Sequence, residues 1–209
     1  QQALELCKRA VVWFPREKLY WRQLIALYSK LRDMKGGLAA RRTMYRQGML
    51  TQPEELLSLI DSHLKLNAPQ EAAEILSREI HKGGLDNDRE NRKRLAVAWL
   101  KARAWKEAEA VLTPLAAESK EGELSVQLAT ALSKQDKWSQ ATASYREALQ
   151  RGKLRSEGQV RLLLGIACFK AGDTRQAVSA LEKAKGYKAQ SRSAEKWLTL
   201  VERRSATSD

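Results

Sequence analysis

Three series of positions recur along this chain at nearly one spacing. Small residues stand at Ala3, Gly37, Ala72, Ala108, Ala141 and Ala177, separated by 34, 35, 36, 33 and 36 residues. Thirteen positions before each of the last five stands a leucine: Leu24, Leu59, Leu95, Leu128 and Leu164. Four positions after each leucine comes a third series, Tyr28, His63, Trp99, Leu132 and Cys168. Between these marks the apolar residues follow helical spacing. One helical hairpin per period accounts for the pattern: the leucines bury a first helix, and the small residues let a second helix come close to it. Such a unit cannot bury its apolar face alone, so neighbours must stack, and the chain is predicted to be all-α and solenoidal.

The breakers place the elements. Residues 1–15 read as the second helix of an incomplete repeat, stopped by Pro15. Repeat 1 covers 18–50, breaking near Arg32-Asp33-Met34 and ending at Gly48. Repeat 2 covers 51–85. It opens on Thr51-x-x-Glu54, which has capping-box spacing. Its inner turn is Asn67-Ala68-Pro69-Gln70, with Asn as an expected N-cap and Pro allowed in a first turn, and Gly83-Gly84 closes it. Repeat 3 covers 86–119 and starts at Asp86-Asn87-Asp88, acids suited to a helix N-terminus. Pro114 falls inside its second helix, where it removes a backbone bond. Repeat 4 covers 120–153 and repeat 5 covers 156–186. Asp136 and Asp173 are expected N-caps of their second helices, the latter with Gln176 at capping-box spacing. A last amphipathic stretch, 189–204, has an apolar stripe of Trp197, Leu200 and Val201 and a basic outer face, which reads as a capping helix. Ser205–Asp209 is expected to fray.

Composition narrows the reading. The chain is 43% hydrophobic and 30% charged, enough for a packed core and unlike a disordered segment. No apolar run approaches the roughly 18 residues of a membrane span. The opening at Gln1, in the phase of a second helix, leads us to expect a piece of a longer protein, whose missing part would hold any export signal or anchor. Cys7 and Cys168 lie almost five periods apart at apolar phases and are expected to be core residues rather than a disulfide. The 38 basic and 25 acidic residues leave a formal charge of +13, which biases partners toward acidic protein surfaces, anionic lipid or nucleic acid.

The chain resembles the tetratricopeptide repeat family. Trp21-x2-Leu24-x3-Tyr28 is similar to its first-helix signature, with Ile25 where Gly is usual. Leu164-Gly165, Gly172-Asp173, Ala177, Leu181 and Ala184 follow the consensus, as do Leu128-Ala129, Trp138, Ala141, Tyr145 and Ala148. The resemblance implies a right-handed α-solenoid of about five hairpins plus an N-terminal half-repeat and the capping helix. In that family ligands lie along the surface of the first helices. Carried onto this chain, the surface would take Lys30, Lys65, Lys101, Lys134 and Lys170, a lysine in every copy, with Arg22 and Lys93. Such a ladder would draw an acidic segment, although lysine near a helix end also complements the helix dipole. Leu57, Leu64, Val97 and Leu100 lie on the same surface. So do Leu162, Ile166 and Phe169, which form a docking patch if exposed and core if the capping helix covers them. The carboxylate clamp of chaperone-binding members needs an Asn at the position held here by Ala26, Asp61, Val97, Thr130 and Ile166, so it is excluded.

Catalytic chemistry finds no support. His63 and His81 are not spaced as a metal pair, His63 sits at a core phase, and no phosphate-binding or nucleophile-elbow motif is present. Asp86-x-Asp88 begins like a calcium loop but has Asn91 where that loop needs Gly. No catalytic residue, metal or cofactor is expected. The basic clusters around Arg41 and Arg92 have no interleaved aromatics, which disfavours RNA. Of the six tryptophans, all but Trp13 are expected in the packing.

Four stretches are similar, more narrowly, to the repeat proteins found with bacterial TonB–ExbB–ExbD systems: Tyr20 to Leu24 with Tyr28, Tyr45 to Leu50, Ala68 to Leu76, and Ser193 to Leu200. That resemblance implies a periplasmic or envelope-associated accessory protein, with a cytoplasmic location as the alternative. The expected function is a non-catalytic scaffold holding an extended or acidic partner segment, with TonB, ExbB or ExbD components as the implied partners. Membrane contact would run only through the missing N-terminus or the partner. The alternatives are an envelope- or lipid-associated assembly factor and an RNA-binding helical array.

Overall fold

Two short amphipathic helices form a hairpin only if the turn between them satisfies the free carbonyls of the first. The computed structural model describes residues 2–206, with side chains through 204, and shows how this chain meets that need. The described residues form twelve α-helices and no strand, an all-α helical-repeat architecture. The chain divides after Arg103 into two compact units, Gln1–Arg103 and Ala104–Asp209. The first contains α1 (Gln2–Trp13), α2 (Lys18–Lys30), α3 (Met34–Arg46), α4 (Pro53–Lys65), α5 (Pro69–Lys82) and α6 (Arg89–Lys101), each packed on the next. The second contains α7 (Trp105–Ala117), α8 (Glu123–Ser133), α9 (Trp138–Arg151), α10 (Glu157–Lys170), α11 (Thr174–Lys185) and α12 (Ser191–Ala206). There too each helix packs on the next, and α12 also reaches α10.

The periodic residues are the core. All five leucines of the series are buried, and so are Gly37, Ala72, Ala108, Ala141 and Ala177; Ala3 alone is exposed. The inner turns repeat as faithfully as the core. One residue per period adopts the left-handed conformation: Arg32 (φ 56°), Asn67 (57°), Arg103 (58°), Asp136 (58°) and Gly172 (88°). The amide after it reaches back to the carbonyl of the third series, Asp33 to Tyr28 at 2.9 Å, Ala68 to His63 at 2.9 Å, Lys137 to Leu132 at 3.1 Å and Asp173 to Cys168 at 2.9 Å. This is the Schellman closure, which satisfies carbonyls a helix end leaves open.

That turn corrects two expected caps. Asn67 and Asp136 occupy the left-handed position, and the N-caps are Ala68 and Lys137, neither with a side-chain bond. Asn and Asp tolerate that conformation better than other residues with a Cβ, so the turn takes them before the cap can. Thr51 is not a cap either. Pro53 enters the first turn of α4, where its missing N–H costs nothing, which leaves Gln52 as the N-cap. Asp88 and Asp173 do cap, accepting from Asn91 N (2.7 Å) and Gln176 N (3.0 Å), and Asp33 caps α3 from Gly36 N (2.8 Å). α7 continues through Pro114.

The capping helix packs through Ala194, Leu198 and Val201, with Trp197 half-buried, whereas Leu200 is exposed. The i, i+4, i+7 line from Ala194 includes Leu198 and Val201 and leaves Leu200 aside. The expected frayed tail falls, from residue 207 onward, outside the described residues; α12 runs to Ala206.

Candidate binding surface of the first helices

In the first unit, α2, α4 and α6 are the first helices of their hairpins. On each, four positions at i, i+4, i+7 and i+8 share one face. They are Arg22, Ala26, Ser29 and Lys30 on α2, then Leu57, Asp61, Leu64 and Lys65 on α4, and Lys93, Val97, Leu100 and Lys101 on α6. All twelve are exposed or half-exposed. Lys30, Lys65 and Lys101 are each the last residue of their helix. Their charges therefore meet the negative helix end as well as solvent.

The seam between α2 and α4 is hollow. A cavity of about 400 Å³ is lined by Ser29 and Lys65 of the face, with Tyr28, Arg32, Arg41 and Ser62. Arg41 is fixed there: its Nε donates to Ser58 Oγ (3.1 Å) and its guanidinium to the Gly37 carbonyl (3.3 Å). Burial pulls the Arg41 pKa down from its ordinary value. A smaller hollow of about 270 Å³ lies toward the other ends of these helices, beside Arg22, Ile25, Glu55 and Ser58.

Arg22 is not a free cation of this face. Its guanidinium donates to Glu55 Oε1 at 2.8 Å, and Lys18 donates to Oε2 of the same carboxylate at 2.7 Å. Burial pushes the Glu55 carboxyl up, but the bonds from Lys18 and Arg22 outweigh it and bring it down to about 2. Two cations and one acid thus clamp α2 to α4. Asp61 is likewise answered, by Arg94 at 3.9 Å.

In the second unit the corresponding face of α8 carries Val126, Thr130, Ser133 and Lys134, half-exposed apart from the exposed lysine. On α10 one of the four positions is closed. Leu162 is buried. The Phe169 ring packs edge-on against Trp197 of α12 at 6.0 Å, beneath the Arg204 guanidinium at 5.2 Å. Phe169 therefore packs against the capping helix while staying half-exposed, and Leu162 is buried, so Leu162, Ile166 and Phe169 do not form one open apolar patch. Ile166 is half-exposed and Lys170 exposed.

His63 is buried, as its core phase predicts, and neither ring nitrogen has a hydrogen-bond partner. Both cysteines are free, Cys168 buried and Cys7 half-buried. Trp21 is buried and donates to the Pro15 carbonyl at 2.9 Å, which sets the α1–α2 corner. Trp13 is 64% exposed, with the Arg9 guanidinium over its ring. Among the described residues no group of three His, Cys, Asp or Glu could hold a metal ion, and no helix is long and apolar enough to cross a membrane.

The architecture is that of the tetratricopeptide repeat proteins. Among solved structures, YrrB, described as a TPR protein with an unusual peptide-binding site, is similar with a TM-score of 0.63 at 12% identity, covering 92% of this chain and 97% of that one. A MamA structure (MSR-1) is similar at 0.63 and 19% identity, over 83% of this chain and 97% of that chain. MamA from Desulfovibrio magneticus RS-1 is similar at 0.60 and 16%, over 78% and 90%. At these identities the likeness establishes the fold. No protein-family model matches the chain, and no curated protein is similar to it.

Proposed function

We propose that the chain is a non-catalytic protein-interaction scaffold whose first-helix face, on α2, α4 and α6, receives an extended, acidic partner segment. One observation carries this reading. Leu57, Leu64, Val97 and Leu100 stay at least partly open to solvent between the exposed Lys30, Lys65 and Lys101. A face meant only to close the array would bury these apolar positions, as Leu162 is buried at the corresponding position of α10. Apolar contacts would supply affinity there, and the lysines would supply orientation and attraction. The peptide-binding site named in YrrB's description supports this reading. The narrower candidate is a charged, proline-rich periplasmic segment of a TonB–ExbB–ExbD system, with a periplasmic or envelope location to match. It rests on the four similar stretches of sequence.

The test uses a fluorescent peptide in which Glu and Leu are spaced by Pro. The chain should bind it, and Lys65→Glu with Lys101→Glu should weaken binding at least about tenfold, roughly 1.4 kcal/mol, with helicity unchanged. Unchanged affinity in the double variant, or no binding by the parent chain, would remove this face from the mechanism.

A further inference from the structure

A third hollow of the first unit, about 260 Å³, lies between α3 and α5, and His63 of α4 forms part of its wall. α3 presents Arg42, Tyr45 and Arg46 to it, and α5 presents Glu71, Glu74 and Arg78. These are helical neighbours on one face of each element. The Tyr45 hydroxyl is already committed. It donates to Glu79 Oε1 at 2.6 Å and ties α3 to α5.

His63 is 2% exposed, and neither Nδ1 nor Nε2 has a hydrogen-bond partner. A buried imidazole with both nitrogens idle is rare, because such groups normally find a donor or acceptor. The charges around it are unbalanced. Three guanidiniums face two carboxylates, and one of those, Glu74, already accepts from Gln70 Nε2 at 2.8 Å. With Glu79 tied to Tyr45 behind the wall, the lining groups by themselves carry a surplus of one positive charge, or two when His63 holds a second proton. A dianion with several acceptor oxygens matches both the charge and the donors.

We propose that this hollow binds a phosphate dianion, free or carried on a phosphoester, with Arg42, Arg46 and Arg78 neutralising it and the buried His63 ring sensing its charge from within the wall. The site is independent of the first-helix face. Burial, and then the Arg42 charge, depress the His63 pKa, while Glu71 opposes them. A bound dianion reverses that balance and favours the protonated ring.

The chain's two histidines make this directly readable. His81 is exposed and serves as an internal reference. Imidazole NMR titrations of the whole chain would be run in inorganic phosphate, in phenyl phosphate and in chloride at equal ionic strength. Phosphate should raise the His63 midpoint by about one pH unit over chloride, with His81 unmoved. The rise should vanish in Arg42→Gln/Arg78→Gln, and so should a phosphate-dependent gain in melting temperature. A response to phenyl phosphate as well would assign the site to phosphoesters, and a response to inorganic phosphate alone would assign it to the free ion. Identical His63 titrations in all three salts, as expected if water satisfies the ring, would overturn the proposal. So would a rise that survives loss of both arginines.

Discussion

Glu55 shows how a residue that looks like part of a binding face can instead hold the array together. Its position in the first turn of α4 brings it within reach of Lys18 and Arg22 one hairpin earlier, a long-range pairing that the spacing of charges within one repeat does not reveal. Arg22, on the same face as the lysines, is thereby spent on structure. The folded carboxyl titrates at about 2 against an ordinary 4.5. Between those values the unfolded chain holds more protons than the folded one. The stabilisation is therefore present above about pH 4.5 and is lost as pH falls toward about 2. The full shift would correspond to roughly 3 kcal/mol, but the Arg22 side chain is 60% exposed and water screens its share. Glu55→Gln should thus cost about 1–2 kcal/mol at neutral pH. Urea midpoints measured from pH 7 downward should fall less steeply below about pH 4.5 in the variant than in the parent. Parallel curves would show that the clamp contributes nothing.

At the scale of the element, the sequence pattern made the helices legible and left the turns ambiguous. Leu24, Leu59, Leu95, Leu128 and Leu164 mark buried first helices because no other spacing buries them all. The inner turn was harder. Its left-handed residue is Arg, Asn, Arg, Asp and Gly in successive repeats. Only Gly172 announces itself, Asn67 and Asp136 suit a cap as well as a left-handed turn, and Arg32 and Arg103 signal neither. The cost of an arginine there, on the order of 1 kcal/mol, is absorbed by the Schellman bonds. Where helices touch, glycine has a sharper meaning. A Cβ on Gly165 of α10 would stand 2.6 Å from Leu181 Cγ, which is itself buried, and 3.3 Å from the Ala177 carbonyl oxygen. A Cβ on Gly37 of α3 would meet only the Arg41 guanidinium at 3.2 Å and Tyr28 Cβ at 3.7 Å. Opposite outcomes follow from one substitution. Gly37→Ala should stabilise by about 0.5–1 kcal/mol through helix propensity, whereas Gly165→Ala should destabilise by about 1–3 kcal/mol through overpacking. Chemical denaturation with unchanged m-values would show it, and a stabilised Gly165→Ala would refute the close approach of α10 and α11.

For the molecule as a whole, the proposed binding surface was legible only in part. The lysine at each first-helix end follows from the period, and its exposure is as expected. The packing of Phe169 depended on where α12 lies, which no period encodes because α12 has no counterpart in the repeat. That helix has a consequence for autonomy. The second unit contains the buried Leu112, Leu115, Leu128, Leu132, Tyr145, Leu181 and Val201. Its last helix turns Arg192, Glu195, Lys196 and Glu202 to solvent, as a terminal repeat must if the array is to end without exposing its core. In the first unit α1 and the residue after it instead leave Leu6, Val12, Trp13 and Phe14 more than half exposed. Stacked repeats draw stability from nearest neighbours, so a run of six helices with its own core and one polar end should stand alone. Residues 104–209 expressed separately should therefore remain helical and unfold in one cooperative transition, detectable by circular dichroism. If α12 supplies the closing contacts, Val201→Ala should lower that transition by about 1–2 kcal/mol. A separate 104–209 segment without a cooperative transition would mean that its core depends on the first 103 residues, and the division after Arg103 would then have no thermodynamic meaning.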